Sequence, residues 1–260
     1  MQDLPRPVPP HDAHTHTSFS DGRDTVGAMV NAAEAIGLEA IAITDAVGLE
    51  NSDLKTRLTE IERVAARSSI AVIPGVECTI LDADGRISLP ARAEDDFPLV
   101  LASISERTIG IGIDVPASHS KLLDNVFGTL SAVVRDGRVK VIADPFNLGR
   151  FAAPLGPSDL PRAHVRDLAR LMVKHEVALE LSARAWWWHP SLSVTEFVRS
   201  WASMLGIFSH ERVKFVAGTG ARSAGEVGNN TFTRRIMRLS GVELSQVVNL
   251  RSLAGRKRRQ

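Results

Sequence analysis

The 260-residue chain contains one cysteine, Cys78, and no tyrosine. A single cysteine excludes an intrachain disulfide, which is typical of proteins in a reducing compartment, and so we expect a cytoplasmic location. The absence of tyrosine excludes a mechanism in which a phenol acts as the acid or base. Cys78 follows Glu77 in a predicted strand, and we expect it to be a small buried residue and not a nucleophile.

The sequence also lacks a long apolar run and an excess of charge of one sign, and we expect no secretory leader. No apolar stretch approaches the roughly 20 residues of a membrane helix, and no basic region followed by an apolar run opens the chain. The formal net charge is +1, so no overall field favours a nucleic-acid or membrane partner. The basic run at 256–259 could contact phosphate backbones, but a solvated tail is the expectation.

Short apolar runs alternate with amphipathic segments along the chain. Within each run the apolar residues follow one another instead of alternating with polar ones, which is typical of parallel strands covered on both faces. A succession of βα units predicts an α/β fold, either a closed barrel or a doubly wound sheet. The predicted strands lie at 11–16, 40–45, 71–79, 98–105, 140–144, 178–182 and 213–218, and the helical patterns at 25–36, 53–66, 160–174 and 194–205.

Two polar, glycine-containing segments interrupt this alternation. Residues 81–96 are predicted to form a hairpin or loop after the third strand, and residues 109–126 a loop over one face. Neither has the composition of a linker between domains. We therefore predict one barrel domain over residues 1–255, followed by a basic tail at 256–260.

Candidate functional residues stand at the carboxyl ends of the predicted strands, where reactive groups of barrels and open α/β sheets gather. His14 and His16 are two residues apart in a strand, so their side chains share one face and could bind one cation together. Glu77 and Asp144 end two further strands, and Asp21 adds a carboxylate on the loop after the histidines. Taken alone, the two histidines would favour a hydrogen-bonded pair at a strand end over a metal site.

The string Asp12-Ala13-His14-Thr15-His16-Thr17-Ser18-Phe19-Ser20-Asp21-Gly22 resembles the opening motif of the PHP superfamily, the polymerase and histidinol phosphatase domains. The resemblance implies a distorted seven-stranded (β/α) TIM-like barrel with a two- or three-metal site for phosphoester hydrolysis. It extends over nearly the whole chain through Ala40-Ile41-Ala42-Ile43-Thr44-Asp45, Pro74-Gly75-Val76-Glu77, Val141-Ile142-Ala143-Asp144-Pro145, Ala178-Leu179-Glu180-Leu181 and Gly218-Thr219-Gly220-Ala221-Arg222.

The set of metal ligands implied by the resemblance is incomplete. His14, His16 and Glu77 match ligands of the first metal, but Gly220 stands where an aspartate is expected. At the second metal, Ser105 and Asp144 stand in place of two histidines. The third metal would use Asp21, but Ala46 and Arg222 replace both of its histidines. His119 could supply a replacement ligand if its loop folds inward, although a solvated histidine is the simpler expectation.

Two histidines and one carboxylate can hold a single Zn²⁺, Mn²⁺ or Fe²⁺ with an open position. We therefore expect a metal-dependent phosphoesterase with a reduced, mononuclear site that hydrolyses a small phosphomonoester or nucleotide. Asp144 is a candidate metal ligand and catalytic residue, and Asp21 and Arg222 are candidate catalytic residues. The alternative is a catalytically inactive barrel, without metal, that binds a ligand or a protein partner.

Two further features leave alternatives open. The guanidinium of Arg222 could bind the phosphate of a substrate, or it could pair with Asp21, Asp45 or Glu180 and neutralise an acidic pocket. The run Trp186-Trp187-Trp188-His189 follows the sixth predicted strand. These indoles could line a ligand pocket or a partner surface, or pack against the edge of the core.

Overall fold

A computed structural model describes residues 9–49 and 53–254, so the predicted basic tail lies outside the described residues. All paired strands are parallel, and the predicted α/β barrel is confirmed. None of the helices in the described ranges combines the length and apolarity needed to cross a membrane. The strands are β1 His11–Asp12, β2 Ala40–Ile43, β3 Ala46–Val47, β4 Ala71–Asp82, β5 Leu99–Ile109, β6 Val141–Ile142, β7 Ala178–Ser182 and β8 Phe215–Gly218.

The sheet follows the order β1-β2-β4-β5-β6-β7-β8, with β3 also paired to β4. Ala40 pairs with Ala71 and Ala46 pairs with Glu77. Because both pairs have the same offset, β3 continues β2 along β4 and the two occupy one barrel position. The backbone N–H of Ala13 donates to the carbonyl of Ala217 at 2.8 Å. This bond brings the last strand back to the first, so that seven strand positions form a nearly closed barrel.

Helices cover the outside of the barrel, and four of them match the predicted segments closely. They are α1 Val26–Ala35, α2 Leu54–Ala65, α3 His119–Arg135, α4 Arg162–His175, α5 Val194–His210, α6 Thr231–Ser240 and the short α7 Arg251–Ala254. The prediction of a loop over 109–126 is wrong in its second half, where α3 begins. The Ser118 hydroxyl caps this helix by accepting from the N–H of Lys121 at 3.4 Å.

Alternation along the strands separates two apolar layers. In β2, Ala40 and Ala42 belong to a cluster made almost wholly of strand residues, whereas Ile41 and Ile43 pack with the helices. The first cluster therefore fills the barrel interior, and the second lies between strands and helices. Cys78 is fully buried in the outer layer, as its sequence context predicts.

His11 makes the stability of this barrel sensitive to acid. Its side chain is buried, and its Nε2 accepts from the N–H of Ala217 at 3.1 Å. Burial lowers the pKa of His11 from 6.5 to about 4. Between these two values the unfolded chain binds a proton at His11 that the folded chain excludes, so stability rises with pH across this window and is lost as the pH falls.

We expect the free energy of unfolding to fall by about 1 kcal/mol per pH unit below pH ~6.5 through His11 alone. His11→Gln keeps an acceptor without a titrating ring, so it should reduce that slope by about one proton. Urea unfolding between pH 4 and 8 measures both slopes. Equal slopes in the two proteins would show that His11 is not the group responsible.

Candidate metal centre

Four strands bring the polar side chains together at one end of the barrel. The segment after β1 continues beside β8, with the N–H of His16 bonded to the carbonyl of Ala221 at 2.8 Å. This extended course points His14 and His16 to the same side. Glu77 lies in the middle of the long strand β4, and Glu180 lies within β7. The strand positions therefore set the spacing of these groups before any side-chain contact is made.

Three potential ligand atoms converge at this point. The Nε2 atoms of His14 and His16 are 3.1 Å apart. Oε2 of Glu77 lies 3.5 Å from the first nitrogen and 3.6 Å from the second. Both histidines are about 1% exposed, whereas 15% of the Glu77 side chain is accessible. The three residues, His14, His16 and Glu77, thus form a cluster, called the triad below, that is accessible only at the carboxylate.

The chemistry of these donors fits a divalent cation. Nδ1 of His14 donates to Oε1 of Glu180 at 3.0 Å, which leaves the lone pair on Nε2 facing the cluster. Nδ1 of His16 lies 3.3 Å from Oδ1 of Asp21, within electrostatic reach but not aligned as a hydrogen bond. The two Nε2 atoms at 3.1 Å are close enough to share a proton when no metal is bound, and a similar separation suits two nitrogen ligands of one cation. Tetrahedral Zn²⁺ with bonds of about 2.0–2.1 Å holds its nitrogen ligands about 3.3 Å apart.

The protonation states of the cluster are also compatible with a bound cation. Burial disfavours protonation of His14, but the charges of Glu180 and Glu77 raise its pKa well above 6.5. Burial, together with the charge of His14, lowers the pKa of His16 to about 4. Burial also opposes ionisation of Glu77, yet His14 and His16 hold the pKa of this carboxyl at about 2. Without a cation the cluster keeps one proton on His14, which a bound cation would replace.

Asp144 lies beside the triad in a strained position. Its φ of 39° is in the left-handed region, which is costly for a residue with a side chain. Its N–H donates to Oε2 of Glu180 at 2.6 Å, and the hydroxyl of Ser182 donates to its Oδ1 at 2.8 Å. Burial and then the charge of Glu180 raise the pKa of Asp144 to about 6. Glu180 therefore orients both His14 and Asp144, a role that its place in an apolar strand did not reveal.

Arg222 pairs with Asp21, and not with Asp45 or Glu180. Its Nε donates to Oδ2 of Asp21 at 2.6 Å, and its Nη1 donates to the carbonyl of Gly220 at 3.1 Å. Burial opposes ionisation of Asp21, but His16 and Arg222 lower the pKa of its carboxyl. Asp21 thus lies between Arg222 and His16 of the triad.

Other positions named from the sequence lie apart from the triad or play different roles. The hydroxyl of Ser103, and not that of Ser105, donates to Oε1 of Glu77 at 2.8 Å. Ser105 instead accepts from the N–H of Arg107 at 3.1 Å. The carboxylate of Asp45 binds the hydroxyls of Thr17 and Ser20 and so holds the loop after the histidines. His119 is exposed as the first residue of α3 and does not belong to the converging group.

A cleft of about 470 Å³ opens at Glu77, the accessible member of the triad. That volume is in the range of clefts that hold small ligands. Its walls carry the carboxyl groups of Glu77 and Asp144, two arginines and two aromatic residues. The lining residues are Ala46, Glu77, Thr79, Ser103, Ile104, Ser105, Glu106, Arg107, Asp144, Asn147, Phe151, Trp188 and Arg222.

Comparison with protein families gives a match between the PHP domain model and residues 12–184. Curated relatives named "Probable phosphatase" include a Caldanaerobacter subterraneus protein, 29% identical over 58% of this chain and 55% of its own length. Proteins of the same name from Aeromonas salmonicida and Photobacterium profundum are 27% and 32% identical, over 66% and 52% of this chain. The chain spans 53% to 63% of the length of these three relatives.

Two solved structures share the fold at low sequence identity. A candidate histidinol phosphatase from Listeria monocytogenes superposes with a TM-score of 0.58 and 13% identity, over 86% of this chain and 99% of that protein. A chain of an archaeal ribonuclease P complex with mature tRNA gives a TM-score of 0.50 and 14% identity, over 88% of each. At these identities the two structures support the barrel fold alone.

Proposed function

The chain belongs to the PHP domain family, and from that premise we propose that it is a metal-dependent phosphoesterase acting on a small phosphomonoester or nucleotide. The observation that carries the proposal is the convergence of two imidazole nitrogens and one carboxylate oxygen within 3.6 Å of one another. The curated relatives that carry the name phosphatase support the reaction class. His14, His16 and Glu77 are the proposed ligands of one Zn²⁺, Mn²⁺ or Fe²⁺.

A divalent cation in this position would polarise a phosphoryl oxygen and lower the pKa of water. The chain supplies the remaining requirements. Glu180 fixes the orientation of His14 through the 3.0 Å bond to its Nδ1, and Ser103 fixes Glu77 through the 2.8 Å bond to its Oε1. Held in this way, the ligand atoms do not need to rearrange when substrate enters.

Asp144 is the proposed proton-transfer group. A carboxyl with a pKa raised to about 6 exists in both protonation states near neutral pH, as an acid that protonates a leaving oxygen requires. Its Oδ1 is held by Ser182, which leaves Oδ2 as the atom that would carry the proton. Asp144 lines the same cleft as Glu77, so it also stands as a proposed additional metal ligand.

Arg222 is the proposed phosphate clamp. It lines the cleft, and the planar guanidinium fits the oxygens of a phosphoryl group. The bond to Asp21 fixes the plane of the guanidinium and connects it to His16. This arrangement supports a role for Arg222 besides charge neutralisation. In the proposed mononuclear centre, Arg222 would hold the phosphoryl group of the substrate where further metal ions would otherwise do so.

We expect chelator-stripped protein to release phosphate from p-nitrophenyl phosphate only after Mn²⁺, Zn²⁺ or Fe²⁺ is restored. Arg222→Ala should raise KM about tenfold, because it removes a charge-assisted contact to phosphate. Steady-state kinetics with each cation measure both effects. An unchanged KM in Arg222→Ala would reject the clamp. Absence of phosphate release with every cation, while inorganic phosphate still binds, would favour the inactive ligand-binding barrel.

A further inference from the structure

Two arginine side chains meet at one backbone carbonyl beside the candidate metal centre. Nη1 of Arg184 donates to the carbonyl oxygen of Gly220 at 2.6 Å, and Nη1 of Arg222 donates to the same oxygen at 3.1 Å. The shared acceptor holds the two guanidinium groups side by side, although they follow different strands, β7 and β8. Their side chains are 29% and 39% exposed. The two arginines thus form a pair of positive charges that a solute can reach.

The shared carbonyl lies next to the triad. The N–H of Gly220 donates to the carbonyl of His14 at 2.9 Å, and Arg222 lines the cleft at Glu77. Gly220 contributes no side chain here. A Cβ atom at this position would lie 3.3 Å from Cδ of Arg184 and 4.0 Å from Nη1 of Arg222. The space in front of Gly220 is therefore bordered by two positive charges, which favours an anion there.

Arg184 is connected to the cleft through the end of β7. Its N–H donates to the hydroxyl of Ser182 at 3.4 Å. That hydroxyl donates to Oδ1 of Asp144, which lines the cleft. The guanidinium of Arg184 lies 5.8 Å from the centre of the Trp187 ring, a cation–π contact that helps to hold it in place. Arg184 therefore stands at the edge of the cleft, with its charge held beside that of Arg222.

The neighbouring carboxylates balance this pair only in part. Asp21 accepts from Nε of Arg222 at 2.6 Å. Oε1 of Glu226 lies 3.9 Å from Nη2 of Arg184, beyond hydrogen-bonding distance, and its Oε2 accepts from the backbone N–H of Arg222 at 2.7 Å. Within the part of the chain that the structure describes, Arg184 thus has no hydrogen-bonded carboxylate. Two guanidinium groups at one acceptor repel each other, and an anion that contacts both would offset that repulsion.

We propose that Arg184 and Arg222 together form a recognition site for a dianionic phosphoryl group and so select phosphomonoesters over phosphodiesters. The second guanidinium offsets the second negative charge of a phosphomonoester, whereas the phosphoryl group of a diester carries only one charge. Arg184 is then a specificity-determining residue that acts beside Arg222. The inference rests on the proposed function, since the pair binds the same phosphoryl group that a cation at the triad would polarise.

The site is tested by ligand binding without turnover. Chelator-stripped protein is titrated calorimetrically in mildly alkaline buffer with phenylphosphonate, a dianion, and with its monomethyl ester, a monoanion of nearly the same shape. We expect the natural protein to bind the dianion at least about tenfold more tightly, because only the dianion offers a full charge to each guanidinium. Arg184→Gln should weaken binding of the dianion about tenfold and binding of the monoanion less than about threefold.

Arg150→Gln is the matched control. The guanidinium of Arg150 also lies over an indole of the tryptophan run, 6.0 Å from the centre of the Trp188 ring, but it is not a donor to the Gly220 carbonyl. Equal affinity for the two ligands, no measurable binding of the dianion, or equal effects of Arg184→Gln and Arg150→Gln would each overturn the site.

A parallel hydrolysis assay of p-nitrophenyl phosphate with restored Mn²⁺ keeps the two proposals apart. Preference for the dianion without hydrolysis would support the two-arginine site and reject the phosphoesterase. Hydrolysis by a protein that shows no preference for the dianion would reject the two-arginine site alone.

Discussion

Replacing Glu77 by glutamine is expected to weaken metal binding at least about 100-fold and to remove metal-supported hydrolysis with it. Changes to residues that only support a ligand already cost about 10–100-fold, and Glu77 contributes the one carboxylate oxygen of the triad. Glutamine keeps the shape and can still accept from Ser103, whose hydroxyl lies 2.8 Å from Oε1. The variant therefore removes a negative charge from the cluster while the cleft keeps its form.

Glu106 provides the matched control for this variant. Its side chain lines the same cleft but does not belong to the converging triad. Glu106→Gln also removes one negative charge from the cleft but no atom of the triad. It therefore separates the loss of a metal ligand from the loss of general electrostatic attraction for a cation. Calorimetric titration of both stripped variants with Zn²⁺ and Mn²⁺ measures the difference. Similar losses of affinity in Glu77→Gln and Glu106→Gln would mean that Glu77 is not a ligand.

Replacing Asp12 by alanine is expected to lower the free energy of unfolding by about 3 kcal/mol or more. Asp12 is fully buried, and its carboxylate accepts from the hydroxyl of Thr219 at 2.5 Å and from its N–H at 3.0 Å. It also accepts from the N–H groups of Gly228 at 3.0 Å and His14 at 3.3 Å. Alanine leaves these buried donors unsatisfied, at a cost of about 1–3 kcal/mol each.

The contacts of Asp12 lie at the closure of the barrel, where β1 meets β8. This aspartate of the opening motif thus supports the candidate metal centre by fixing the segment that carries His14, and it is not itself in the triad. Asp12→Asn keeps one acceptor oxygen, so its loss of stability should be about half that of Asp12→Ala. Urea unfolding measures both. Values within about 0.5 kcal/mol of the natural protein would contradict this role.

Much of the centre could be predicted because it depends on local pattern. The spacing of His14 and His16 in an extended segment fixes their common direction, and Glu77 lies in the apolar run that forms β4, separated from β1 by β2. The resemblance placed Ser105 at a histidine position of the second metal, but in the pairing of β4 with β5 it is Ser103 that contacts Glu77. Their register pairs Thr79 with Ser103, which places Ser103 at the carboxylate.

Other features depend on packing between distant segments and left no local signal. Three carboxylates were equally open as partners of Arg222, and only the folded loop shows that Asp21 reaches it. Glu180 was considered only as a partner of Arg222, and its contacts to His14 and Asp144 arise only in the folded barrel. Helix α3 was missed because its first turn, His119-Ser120-Lys121, is polar and follows a glycine-rich segment. Its apolar periodicity begins only at Leu122.

The central claim is that His14, His16 and Glu77 hold one cation, and metal content tests it most directly. Elemental mass spectrometry of untagged protein, after incubation with Mn²⁺ and Zn²⁺ and removal of excess, should find about one equivalent. His14→Ala should lose that metal, whereas His119→Ala, which changes an exposed histidine, should retain it. Metal-free natural protein, or equal metal content in the natural protein and His14→Ala, would contradict the account.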